Sequence, residues 1–175
     1  MDVKIIVALI AAFVSFIGLL ISKEQKVSEF RQAWIDRVRN DVAELIGKCS
    51  EIGHNWIMVQ DEYRKNKKVG DKFLKDNLET FKDIDLTISR IKLSLNPDDD
   101  NEMLKALEAV EDATNSPSKI KNLSDAVNNI ESLSHKVFKT EWERVKSGEP
   151  IFRASKWLVG LLIPALLIFA VCTKI

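Results

Sequence analysis

Two long apolar runs, Ile5 to Ile21 and Trp157 to Cys172, bracket a charged middle in which apolar residues recur every three or four positions. A run of about 17 to 20 apolar residues matches the roughly 30 Å hydrocarbon thickness of a bilayer, where a helix satisfies its own backbone hydrogen bonds. The pattern therefore predicts transmembrane helices over residues 4–22 and 154–173, flanking an insert over residues 23–153.

The insert reads as helix throughout. Val42, Leu45, Cys49, Ile52, Trp56, Val59 and Tyr63 recur with alternating steps of three and four, the mark of a seam that faces a partner helix. Upstream, Val27, Phe30, Trp34, Val38 and Val42 continue the stripe, with successive steps of four after Phe30, a stutter expected to unwind a supercoil locally without ending the helix. Gly47 and Gly53 each cost about 1 kcal/mol relative to Ala; they are either tolerated at the surface or admit a close approach or a bend. A second helix, capped by Asp71, carries Leu74, Leu78, Phe81, Ile84, Ile88, Ile91 and Leu95 and ends at Asn96, because Pro97 disfavours helical geometry in the residue before it. Asp98 to Asp100 cap a third, short helix containing Met103, Leu104, Leu107 and Val110. Ser116 or Ser118 opens a fourth, with Ile120, Leu123, Val127, Ile130, Leu133, Val137 and Trp142 on one face, closing near Gly148 and Pro150.

Taken as helices over 23–67, 71–96, 100–115 and 117–147, these elements run outward and back by nearly equal distances, about 91 Å against about 85 Å at 1.5 Å per residue. The expected fold is all-α: two transmembrane helices flanking an elongated, coiled-coil-like antiparallel four-helix cytoplasmic bundle.

Charge sets the expected orientation. Lys23, Lys26, Arg31, Arg37 and Arg39 follow the first run, and Lys136, Lys139, Arg144, Lys146, Arg153 and Lys156 precede the second, whereas only Lys4 and Lys174 lie outside. Cationic flanks stay on the cytoplasmic side, which places both termini in the periplasm or its equivalent and the insert in the cytoplasm. A cleaved signal peptide would need a small-x-small site, which Gly18 to Ser22 does not supply. Setting aside Asp2, Lys4 and Lys174 leaves 24 basic against 25 acidic residues, so bulk charge gives no reason to expect nucleic-acid binding.

Residues with reactive side chains are few. Cys49 falls on the helix seam and Cys172 at the outer edge of the second run, an arrangement that excludes a disulfide within one chain. His54 and His135 lack companions at metal-ligand spacing, and no phosphate loop or nucleophile elbow is present. No catalytic residue, cofactor or metal is expected. Interaction candidates are clearer. Phe30 and Trp34 sit one turn apart with Arg31 beside them, able to fasten this segment to the fourth helix or to a second protomer. Arg64, Lys65, Lys67 and Lys68 form a basic tip suited to an acidic partner, while Asp98 to Asp100 and the third helix are acidic. Ala8, Ala11, Ala12, Ser15 and Gly18 form a small-residue stripe that permits close helix packing in lipid, against the second span through Gly160 and Ala165 or against another copy. Pro164 is expected to kink the second span. Arg153, Lys156 and Trp157 read as interfacial anchors, and Trp34, Trp56 and Trp142 as core.

The segment Lys26-Val27-Ser28-Glu29-Phe30-Arg31-Gln32-Ala33-Trp34-Ile35-Asp36, directly after an N-terminal apolar run, resembles the opening of a group of small uncharacterised bacterial and prophage-associated inner-membrane proteins. The resemblance covers about twenty residues and implies a bacterial inner-membrane setting without assigning any residue a role. The expected function is a membrane-anchored scaffold, adaptor or sensor working through protein contacts and self-association, with membrane lipid, a homo-oligomer or another protein as partners. The alternative is a pore-forming effector gated by the helical domain, for example in phage defence, an analogy of topology alone.

Overall fold

A computed structural model of the chain describes residues 3–148 and, beyond them, Trp157, Gly160 and Leu161; at positions 3, 5–7 and 9 the side chains are not described. The described residues are helical or in turns, with no strand among them. Over residues 3–148, five α-helices and one 3₁₀ turn follow in order: α1 (Val3–Lys65), α2 (Lys68–Asp76), α3 (Leu78–Ser94), α4 (Asn101–Thr114), the 3₁₀ turn (Pro117–Asn122) and α5 (Leu123–Ser147). The chain divides into two compact units, Ile35–Thr140 and Met1–Trp34 with Glu141–Ile175. Among the described residues no helix is long and apolar enough to cross a membrane. The first apolar run, expected as a transmembrane helix over residues 4–22, lies within α1, with the side chains at positions 5–7 and 9 not described; the second falls almost wholly outside the described residues.

The unit Ile35–Thr140 is a helical bundle. From α1, Ile35, Val38, Val42, Leu45, Cys49, Ile52 and Trp56 are buried, which is the alternating three-and-four stripe closing on its partners. Ile84, Ile88 and Ile91 of α3, Leu107 and Val110 of α4, and Leu123 and Ile130 of α5 complete the core. Each such side chain contributes about 1.5 to 3 kcal/mol over its exposed state. Polar contacts report the register of α1 on α3. Arg90 meets Asp41 and Glu44, Lys48 meets Asp83, Glu51 accepts from Thr80, and Asn55 donates to Asn77. Each advance along α1 is matched by a retreat along α3, so the pair is antiparallel without a register slip.

Where one helix is predicted over 71–96, the structure has two. Asn77, at φ −110° and ψ 16°, leaves helical geometry. Its amide group donates to the Phe73 carbonyl at 2.9 Å, an oxygen that also accepts from the Asn77 backbone N–H at 3.1 Å, and accepts from Asn55 at 2.7 Å, so the side chain adds anchors on both sides of the break. The break lets Phe73 turn inward, edge-on to both Trp56 and Phe81, while Leu78, expected inside, is exposed. Gly70 lies within α2 rather than before it. A Cβ there would come within 2.8 Å of the Tyr63 ring and 3.2 Å of Pro117; here the absent side chain allows close approach.

The expected caps also differ. Asp71 sits inside α2, whose N-cap is Lys67. Asp100 occupies the N-cap position of α4, yet its carboxylate accepts from the Asn96 backbone N–H at 2.9 Å and makes no cap bond. Asp99 likewise accepts from the Asn96 amide, so these carboxylates organise the turn after Pro97 and leave only their charge to favour the α4 N-terminus. Ser116 precedes the 3₁₀ turn in extended geometry without capping it, and the α-helix begins six residues after Pro117. Gly47 and Gly53 have no described atom within 4 Å of a Cβ built on them, so close helix approach does not account for either.

In the other unit, residues 3–34 belong to α1 and residues 141–147 to α5. Gly148, at φ 68°, follows α5 in the left-handed geometry that glycine tolerates best.

Candidate interaction surfaces

Phe30 and Trp34 do not share an environment. Phe30 is 75% exposed and Trp34 half-buried. Four residues advance a helix by about 40° beyond a full turn, so three successive steps of four between Val42 and Phe30 rotate Phe30 by about 120° from the seam. Ile35, seven residues from Val42, stays within about 20° and is buried in its place. The stutter therefore turns the aromatic outward on a continuous helix.

Arg31, beside it, is committed to α5. Its Nη1 donates to Glu141 Oε2 at 3.1 Å, and Glu141 Oε1 accepts from Arg144 Nη1 at 2.6 Å. The Glu141 side chain is only 16% exposed, so two guanidinium groups neutralise a carboxylate largely withdrawn from water. The same turn of α5 explains why Trp142 is not core: Glu141 follows Ile130, Ser134 and Val137 on the inward stripe, whereas Trp142 points about 100° away. It is 45% exposed, with Lys146 Nζ 5.5 Å from its ring centroid. Of the three tryptophans expected in the core, only Trp56 is buried.

The predicted basic tip is real in composition but partly engaged. Arg64 pairs with Asp61 at 3.1 Å, both well exposed, and Lys67 Nζ lies 4.0 Å from the Tyr63 ring centroid. Lys65 and Lys68 are exposed. Ala8, Ala11, Ala12, Ser15 and Gly18 are all exposed, and Ser15 Oγ donates back to the Ala11 carbonyl. Trp157 is exposed; Arg153, Lys156, Pro164, Ala165 and Cys172 lie outside the described residues.

Cys49 is buried, and desolvation pushes its thiol up to about 12, so it is protonated at neutral pH. His54 and His135 are both exposed, and no group of three His, Cys, Asp or Glu among the described residues could hold a metal ion.

One feature was not predicted from sequence. A cleft of about 450 Å³ opens in the bundle unit between α1, over residues 49–60, and the segment from the 3₁₀ turn into α5, over residues 120–128. Its only sequence signal is Gly53, a glycine on the α5-facing side of an otherwise well-patterned helix. The exposed Ile57 and half-buried Val127 lie on its flanks.

Comparison with protein-family models, with curated proteins and with solved structures finds no match for this chain.

Proposed function

We propose that this protein is a membrane-anchored helical scaffold, adaptor or sensor that acts through protein contacts and self-association. Its anchors are the two apolar ends, oriented by the basic residues inside them, with the helical bundle on the cytoplasmic side. A bacterial inner membrane is the setting this reading assigns.

Phe30 is the observation that carries the reading. A large aromatic exposed by 75% stands beside the network of Arg31, Glu141 and Arg144. Aromatic residues next to arginine on a preorganised base are what protein interfaces use as anchors, because they bury large area at low entropic cost. Lys65 and Lys68 at the end of the bundle unit supply a second, basic surface suited to an acidic partner.

The test is the oligomeric state of the full-length chain in lipid nanodiscs, read by in-cell cross-linking and by mass photometry, for the native protein and for Phe30→Glu. A native oligomer or defined complex that Phe30→Glu dissociates is expected. A native chain that remains a monomer and cross-links to nothing would refute the proposal. Collapse of membrane potential on expression would shift the assignment to the pore-forming alternative.

A further inference from the structure

The cleft between α1 and the start of α5 takes no part in the interaction surfaces above. Its volume of about 450 Å³ falls within the range of small-molecule sites. The floor is apolar, formed by Cys49, Trp56, Ile120 and Leu123, all buried. Gly53 lies on the same lining, and a Cβ built there meets no described atom within 4 Å. A glycine inside a helix costs about 1 kcal/mol relative to Ala, and no packing within the bundle offsets that cost. What the missing side chain leaves is room in the cleft.

Charge narrows the occupant. The rim is made of hydroxyl and amide side chains together with His54 and Lys121, both exposed. None of the described residues lining the cleft is a carboxylate, although Asp and Glu make up 26 of the 175 residues. Among the described lining residues the charged side chain is Lys121, a cation. An apolar floor with a cationic, hydrogen-bonding rim complements a molecule with an apolar body and one negative head.

We propose that this cleft binds a small, water-soluble amphiphilic monocarboxylate, its apolar chain lying along Trp56 and Leu123 into the space beside Gly53 and its carboxylate at the rim near Lys121. The site is independent of self-association and of Phe30.

The probes are octanoate and octylamine, which share a chain and differ in the sign of the head. The full-length protein in lipid nanodiscs, with Trp142→Phe and Trp157→Phe to reduce background, is titrated with each while tryptophan emission is followed. The expected result is a saturable change with octanoate, a response to octylamine weaker by roughly fivefold, and loss of the saturable change in Gly53→Leu. Because open space surrounds Gly53, that variant should melt no lower than its parent. Lys121→Glu, at an exposed rim position, should abolish or reverse the preference for octanoate. Equal response to both probes, a saturable octanoate response persisting in Gly53→Leu, or no saturable response at all would each overturn the proposal. If Gly53→Leu melts lower, Lys121→Glu decides: an unchanged preference overturns it, and an abolished or reversed one supports it.

Discussion

Two glycines on helices offer a controlled test of the packing described above. Gly53→Ala and Gly70→Ala make the same local change, and each gains about 1 kcal/mol of helix propensity and unfolded-state entropy. Their surroundings differ. At Gly53 the added methyl meets no described atom within 4 Å, whereas at Gly70 it falls 2.8 Å from Tyr63 Cε2 and 3.2 Å from Pro117 Cγ. The Tyr63 ring cannot simply swing away, since Trp56 stands 5.0 Å from it, centroid to centroid, and Lys67 covers its face at 4.0 Å. Forcing a methyl into such a site costs about 1 to 3 kcal/mol. Gly53→Ala is therefore expected to be more stable than the parent by about 1 kcal/mol, and Gly70→Ala to lie below Gly53→Ala by about 1 to 3 kcal/mol. For a chain of this length that gap corresponds to roughly 2 to 12 °C in melting temperature, measured by circular dichroism on the full-length protein. A Gly70→Ala variant melting at or above Gly53→Ala would refute the close approach of Tyr63, α2 and Pro117.

Three further outcomes follow from the same geometry. Arg90 bridges Asp41, whose side chain is 12% exposed, and Glu44, and donates to Thr87; Arg90→Met should destabilise by about 1 to 3 kcal/mol in urea unfolding, and Asp41→Asn added to it should recover part of that loss. Burial, with a smaller effect from Glu111, raises the Asp85 carboxyl above its ordinary value of 3.8. The folded state thus holds this proton more tightly than the unfolded one, and stability is lost as pH rises from 3.8 through the folded pKa. Asp85→Asn should gain on the native protein at neutral pH, with the gain vanishing below pH 3.8; a pH-independent difference would contradict it. Cys49, with a thiol pushed up to about 12, should resist a thiolate-specific reagent at pH 8 until the protein is denatured; rapid labelling of the folded chain at this position would contradict its burial.

The stripe from Val42 to Trp56 was legible in the sequence because helical period is local: whatever partner arrives, residues three and four apart share a face, and burial on that face follows. The extent of α4 was legible for a similar reason, with Pro97 and Pro117 as boundaries that no tertiary contact can remove. Even the exposure of Phe30 could be read by following the angle of each step rather than the step length. Other features depended on residues far apart in sequence. Asn77 ends a helix because Asn55 and the Phe73 carbonyl satisfy its side chain, and Glu141 replaces Trp142 on the inward face because Arg31 comes from 110 residues away to neutralise it. The cleft is likewise defined by two distant segments, visible in sequence only as a glycine with no evident reason. Local periodicity decides which side of each helix is apolar; only the assembled bundle decides which polar groups find partners, and where two apolar faces fail to meet.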